Sequence, residues 1–216
     1  MQGCTYVIHV ASPFVLAEPK DENELIAPAV VGTTRVVRAA KRAGVTRLVL
    51  TSSIVAVTAG RASGRYGPDS WADTDANIGA YAMSKTLAER AAWDINRESQ
   101  MELTVINPGG VFDPSLGAKA DGQSVAMISD MIGGKMPMIP DVAMGMVDVR
   151  DVARLHVMVP NMAVRLMSLF DRQAKAMVPL LGTRIAFDTS ATSDVLDWKP
   201  TPMEASFKEM AASLGD

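Results

Sequence analysis

Three short apolar runs, each closed by small or hydroxylated residues and separated by stretches of other periodicity, constrain this chain more than any other feature. Tyr6-Val7-Ile8-His9-Val10-Ala11 stops at Ser12-Pro13, Arg47-Leu48-Val49-Leu50-Thr51 stops at Ser52-Ser53, and Leu103-Thr104-Val105-Ile106-Asn107 stops at Pro108-Gly109-Gly110. Nearly continuous apolar runs of this length read as strands buried on both faces, the habit of parallel sheets. Between the first two, Leu25, Ile26, Ala29, Val30, Val36, Val37 and Ala40 recur at helical spacing over about 22–43. Asp21, Glu22 and Glu24 stand at the positive end of that helix, Lys41 and Arg42 at its negative end, and Gly44 is the stop. Between the second and third, a polar glycine-rich loop is expected to about residue 78, followed by a helix over 80–97. Strands alternating with helices predict right-handed crossovers and a three-layer α/β sheet.

Beyond Val111 the texture becomes Met-rich and punctuated by Gly and Pro. Helices are expected at 124–132, 149–157, 161–177, 190–196 and 203–214, with a short strand at 144–147. The chain therefore divides into a first region over 1–111 and a smaller, mainly helical lobe over 112–216. A net charge of −3 gives no sequence-independent grip on nucleic acid or on an anionic membrane surface. The uncharged stretch 1–17 is broken by Gln2, Thr5, His9, Ser12 and Pro13 and has no basic leader. It suits neither a membrane span nor a secretory signal, so a cytoplasmic location is expected. One cysteine, Cys4, cannot form an internal disulfide, and with two histidines it is too little for a structural zinc site; it is assigned no role.

Ligands of open parallel sheets sit beyond the carboxyl ends of the strands. Here those ends are Ala11-Ser12-Pro13, Ser52-Ser53 and Asn107-Pro108-Gly109, small enough for a flat ligand to lie across them. On the second helix Tyr81 and Lys85 are four residues apart, which sets an ammonium beside a phenol on one face. A cation held close favours the phenolate, so Tyr81 is expected to titrate nearer neutrality and to serve as a proton donor and acceptor. The same spacing also suits an exposed tyrosine lying over a lysine stem. Ser53, whose hydroxyl can reach an oxygen that the phenol also touches, is what favours a carbonyl-polarising trio.

Six ordered segments carry a resemblance. Val7-Ile8-His9-Val10-Ala11-Ser12-Pro13-Phe14, Pro28-Ala29-Val30-Val31-Gly32-Thr33, Val49-Leu50-Thr51-Ser52-Ser53, Tyr81-Ala82-Met83-Ser84-Lys85, Asn107-Pro108-Gly109 and Val147-Asp148-Val149-Arg150-Asp151-Val152-Ala153 resemble the extended short-chain dehydrogenase/reductases in order and spacing. The closest branch resembles the dihydroflavonol-reductase-like aldehyde and ketone reductases, often grouped with NAD-dependent epimerase/dehydratases. The resemblance implies a partial Rossmann-like parallel sheet with flanking helices and a smaller substrate lobe. It implies NADP or NAD as cofactor, with no residue that tells the two apart, and a small-molecule carbonyl or hydroxy substrate. Tyr81 would give its proton to the carbonyl, Lys85 would lower the phenol's pKa and hold the nicotinamide ribose, and Ser53 would hydrogen-bond the same oxygen. Ser52 would lie beside the cofactor, Ala11, Ser12 and Pro13 would line the dinucleotide cleft, and Pro108, Gly109 and Val111 would back the nicotinamide.

The chain departs from that pattern in three places. The strand, Gly-rich turn and helix that take the pyrophosphate are missing before Tyr6, and Val157-Met158-Val159-Pro160 runs early into a later segment. Asp113 also stands where a glycine is usual. The expected consequence is a weakened phosphate grip and an exposed sheet edge that favours a homodimer. Two other readings stay open: a nucleotide-sugar epimerase or dehydratase, and a catalytically silent binding domain. Among the remaining residues, His9 is read as strand packing or the rim of an adenosine pocket, and His156 as structural. Asp148 and Asp151 are read as helix caps, with Arg150 paired to one of them. Met127, Met131, Met136, Met138, Met144 and Met146 are read as core or as an adaptable pocket lining, and Trp71, Trp93 and Trp198 as packing anchors.

Overall fold

The computed structural model describes residues 1–14, 19–112, 122–135, 145–158, 185–187 and 198–213. Its first half is built as the apolar runs demand. Strand β1 (Tyr6–His9) leads into helix α1 (Asn23–Arg42), which returns to β2 (Arg47–Thr51). After a short helix α2 (Val55–Thr58) and strand β3 (Gly64–Tyr66), helix α3 (Gly79–Asn96) leads into β4 (Glu102–Ile106). The three strands lie in the order β1-β2-β4, all parallel, with Tyr6 opposite Arg47 and Arg47 opposite Glu102. A run of same-handed crossovers in one direction puts both connecting helices on one face, and α1 and α3 do pack side by side there.

That face holds the main core. Leu48, Leu50, Leu103 and Val105 point into it from β2 and β4, and meet Val37 and Ala40 of α1 and Ala92 of α3. Ala29, Thr33, Val37 and Ala40 form one buried stripe on α1 at three- and four-residue spacing, and Ala80, Ser84, Ala88 and Ala92 do the same on α3 at four-residue spacing. The side chains are small, so the two helices approach closely. Gly44, at φ 69°, ends α1 in the left-handed conformation that a helix stop of this kind needs.

The later elements are short. Strands β5 (Gly110–Phe112) and β6 (Met146–Asp148) pair in parallel, as do β3 and β7 (Ile185–Phe187). Helices α4 (Gln123–Ile132), α5 (Val149–Met158) and α6 (Met203–Ser213) complete the described residues. Gly109 joins β4 to this second unit. A Cβ placed there would sit 2.2 Å from the Gly145 carbonyl oxygen, and the neighbouring Gly110 N–H donates to that same oxygen at 2.9 Å.

Several expectations need correction. The first run is not a strand buried on both faces: it spans only 6–9, and Tyr6, Ile8 and Val10 are 65%, 50% and 59% exposed. Among the described residues β1 has a strand on one side only, so the side chains that alternate away from α1 and α3 meet water. The face opposite the helices is buried at Val49, Thr104 and Ile106, but this second layer does not extend over β1. The loop expected to run to residue 78 contains α2 and β3, and β5 and β7 were not expected. The strand placed at 144–147 is described over 146–148. The helices expected at 161–177 and 190–196 lie outside the described residues, as do Asp113, Met136, Met138 and Met144.

The close approach at Gly109 predicts that Gly109→Ala lowers unfolding free energy by about 1–3 kcal/mol, because backbone must move. Gly32→Ala inside α1, where a Cβ meets nothing within 4 Å, should raise it by roughly 0.5–1 kcal/mol. Urea denaturation of both variants checks this, and an equal effect at the two positions would contradict the contact.

Candidate active site

The carboxyl ends of β2 and β4 stay paired past the strands. The Ser52 N–H donates to the Ile106 carbonyl at 2.8 Å and the Ile54 N–H to the Pro108 carbonyl at 3.1 Å. Ser53 is thereby fixed at the lip of the sheet, 7% exposed, where its hydroxyl oxygen accepts the Val55 N–H at 3.4 Å at the start of α2. Helix α3 begins at Gly79 and carries the half-buried Tyr81 to the same lip, close enough that the Ser53 hydroxyl stabilises its anion. Phe14 packs edge-on against the Tyr81 ring at 5.0 Å between centroids.

One turn further, Lys85 places its Nζ 5.9 Å from the centre of the Tyr81 ring. The side chain is buried, and no described residue accepts a hydrogen bond from its ammonium. Burial brings its pKa from 10.5 down to about 8, against the attraction of Glu89. His9, at the end of β1, is held below its usual pKa by burial and by Lys85.

The lowered phenol expected at Tyr81 is not found. Burial raises its pKa above 10, and the Ser53 hydroxyl only partly opposes this. The expectation considered a neighbouring cation in water. In place, the phenol loses solvent, and the ammonium, itself partly desolvated, lies 5.9 Å from the ring centre. At neutral pH Tyr81 is a phenol, the state from which a proton can be given.

Behind the trio lies a network that the sequence reading passed over. Glu89, one turn after Lys85 on α3, is 1% exposed. Its Oε2 accepts from Asn107 Nδ2 at 2.7 Å and its Oε1 from Trp93 Nε1 at 3.4 Å. Asn107 Nδ2 also donates to the Ser53 carbonyl at 3.2 Å. The Ser52 hydroxyl approaches Glu89 without reaching hydrogen-bond geometry. Burial raises the Glu89 carboxyl above the ordinary range, in spite of these donors and of Lys85. The available signal was the spacing Lys85-x-x-x-Glu89 together with Asn107 at the end of the neighbouring strand.

The other candidates are placed as follows. Ala11 is exposed and Ser12 and Pro13 are half-buried after β1, while Pro108, Gly109 and Val111 are half-buried around the end of β4. His156 is structural: its Nδ1 donates to the Val152 carbonyl at 2.7 Å and its Nε2 accepts from the Thr51 hydroxyl at 2.5 Å. Asp148 caps α5 through the Arg150 N–H at 2.8 Å and takes the Arg150 guanidinium on both oxygens. Asp151 is not a cap; its carboxylate accepts the Thr201 N–H at 2.6 Å and so ties the segment before α6 to α5. Met127 is half-buried, Met131 and Met146 are exposed, and Trp71, Trp93 and Trp198 are half-buried.

Comparison with known proteins gives the family and the fold. A sequence model of the NAD dependent epimerase/dehydratase family matches residues 1–165. The chain is 38% identical over 167 residues to cinnamoyl-CoA reductase CAD2 of Medicago truncatula, covering 73% of this chain and 50% of that protein. It is 33% identical over 175 residues to a (2S)-flavan-3-ol-forming anthocyanidin reductase of Vitis vinifera, covering 73% and 52%. The chain thus spans about half the length of the curated relatives it matches. In three dimensions it is similar to yeast methylglyoxal/isovaleraldehyde reductase Gre2 complexed with NADPH, with a TM-score of 0.80 at 23% identity over 97% of this chain and 76% of that one. The fold is the Rossmann-like fold of these reductases, and the chain belongs to the NAD dependent epimerase/dehydratase family.

Proposed function

We propose that this chain carries the carbonyl-reducing centre of an NAD(P)-dependent oxidoreductase acting on a small or aromatic aldehyde or ketone. The observation that supports it most is the meeting of the Ser53 hydroxyl, the Tyr81 phenol and the Lys85 ammonium at the carboxyl end of a parallel sheet. The names of the relatives point to the same chemistry. The residues present fit the nicotinamide end of such a cofactor: an ammonium with three donors and no acceptor among the described residues suits ribose hydroxyls, and the strand ends around it carry small side chains. The bound dinucleotide supplies the hydride.

Negative charge grows on the carbonyl oxygen as the bond to carbon forms. Ser53 donates a hydrogen bond to that oxygen and Tyr81 passes it the phenolic proton, so both groups favour the transition state over the ground state. Lys85 sets its positive charge beside the phenolate that is left. Phe14, edge-on to the Tyr81 ring, keeps water from one side of it. The lobe after residue 111 is assigned to the substrate, with the half-buried Met127 as an adaptable wall. The exposed edge of β1 supports a homodimer, and the lone exposed Cys4 supports a reducing, cytoplasmic setting.

Replacing Tyr81 by Phe should cut turnover by about 10²–10⁴-fold while NADPH affinity, read by fluorescence titration, stays within about twofold. Undiminished turnover removes Tyr81 from the mechanism. A folded chain that binds neither NADPH nor NADH at about millimolar concentration defeats the enzyme reading as a whole.

Lys85 makes a second, independent forecast. Its folded pKa lies below its unfolded one, so between about pH 8 and 10.5 the unfolded chain holds a proton that the folded chain has released. Stability therefore rises with pH across that window, and below it the buried ammonium costs on the order of 3 kcal/mol. In Lys85→Met this rise should be absent, so the variant's stability advantage in urea melts shrinks from about pH 7 to 9.5. A pH-independent difference would mean that Lys85 is not buried as an ammonium.

A further inference from the structure

Glu89 is a buried titratable group that carbonyl reduction as described above does not use. It sits one helical turn beyond Lys85, away from the lip of the sheet, and all its described hydrogen bonds are to donors: Asn107 at 2.7 Å on one oxygen and Trp93 at 3.4 Å on the other. Each carboxyl oxygen accepts from an N–H group, an arrangement that suits the anion. Asn107 spends both of its N–H groups here, one on Glu89 and one on the Ser53 carbonyl at 3.2 Å, and leaves its own oxygen buried without a partner. That orientation is fixed by the two acceptors. Hydrogen bonds therefore run from the Glu89 carboxylate through the Asn107 amide to the backbone of Ser53, while the same carboxylate acts on the Lys85 ammonium, one turn back on α3, through its charge alone.

We propose that Glu89 is a positioning residue of this site: its carboxylate is the counter-charge that keeps Lys85 an ammonium beside Tyr81, and through Asn107 it locks the Ser53 strand end to α3. Among the described residues the titratable groups facing Lys85 are Tyr81 and Glu89 on its own helix and His9 at the end of β1. Tyr81 is a neutral phenol and His9 is biased toward its neutral form, so Glu89 is the one anion among them. Without that anion the buried amine would be neutral near pH 7, and it would neither charge-stabilise a phenolate nor hold the phenol in place. This inference rests on the reductase reading for its purpose, but its test reads Lys85 directly.

The experiment uses the full chain labelled with ¹³C-lysine and follows the Lys85 ε-methylene resonance from about pH 6 to 10.5. The resonance is identified as the one missing in Lys85→Met. In the unsubstituted chain its midpoint should lie near 8. Glu89→Gln keeps the shape of the side chain and removes its charge, and should lower the midpoint by about one pH unit or more. Glu89→Asp keeps the charge but withdraws it by one methylene, and should give a smaller fall. In NADPH-dependent reduction of cinnamaldehyde, kcat near pH 7 should drop about tenfold in Glu89→Gln and recover in part in Glu89→Asp, with KM for NADPH changed much less. A role confined to packing would lower stability in both variants without this graded midpoint.

An unchanged Lys85 midpoint in Glu89→Gln overturns the proposal. Should that variant fail to fold, an unchanged midpoint in Glu89→Asp overturns it equally. A shifted midpoint in a chain whose unsubstituted form reduces no aldehyde defeats the reductase reading and leaves the coupling of Glu89 to Lys85 standing.

Discussion

Parallel pairing of β2 with β4 does not stop where the strands stop, and everything at the candidate site hangs from that extension. Two backbone hydrogen bonds, from Ser52 to Ile106 and from Ile54 to Pro108, hold the departing chains together just beyond the sheet. Were they absent, Ser53 and Asn107 would each begin a free loop. Because they are present, a hydroxyl and an amide stand at fixed separation on neighbouring strands, and α3, laid across the same strands by its crossover, lowers Tyr81, Lys85 and Glu89 onto them. Site geometry here is a by-product of how a parallel sheet frays. Gly109 carries the same constraint one step on, since only a residue without a Cβ can let the end of β4 touch Gly145.

Electrostatics at the site is decided by a contest between burial and pairing. For Tyr81 burial wins and the phenol stays protonated; for Lys85 burial wins in part, and its pKa settles near 8 rather than 10.5. A reading that counts only the nearest opposite or like charge gets the direction at Tyr81 wrong, because it assumes that water is still there to solvate both groups. In the proposed reduction the neutral phenol would be the more useful state for a group that delivers a proton, and the ammonium would gain most of its effect only after that proton had left. On that reading the two residues serve successive moments of one transfer and owe their states to different causes.

Much of this was legible in the residues. The helix expected over 22–43 is found at 23–42, because a long amphipathic stretch with charged ends and a glycine stop declares itself, and the one expected over 80–97 is found at 79–96. Ser53, Tyr81 and Lys85 were singled out by spacing and by position at element ends, and the structure sets the Ser53 hydroxyl beside the Tyr81 phenol with the Lys85 ammonium 5.9 Å from its ring centre. The burial of β1 was misjudged for a physical reason: the apolar character of Tyr6, Ile8 and Val10 states what these side chains prefer to meet, not whether a neighbour supplies it. Elements of three or four residues, such as α2, β3, β5 and β7, contain too little of any period to be seen. Glu89 escaped because a lysine and a glutamate four apart on a helix ordinarily form an exposed pair worth a few tenths of a kcal/mol. Only the packing of α3 against the sheet turns that spacing into a buried one.

A second buried carboxylate shows why the first is of interest. Asp148 is fully enclosed like Glu89, yet its pKa moves the opposite way, well below the usual carboxylate range, because the Arg150 guanidinium grips both of its oxygens and Ser206 adds a short hydrogen bond. A planar guanidinium is already charged at every pH the protein meets, so Asp148 has no freedom left and serves to fasten α5 to α6. Glu89 instead receives neutral amide and indole donors and faces an ammonium that burial has half persuaded to give up its proton. The same chemical group is inert where its partner cannot titrate and responsive where its partner can. In this fold the responsive one lies directly behind the residues that would handle a proton.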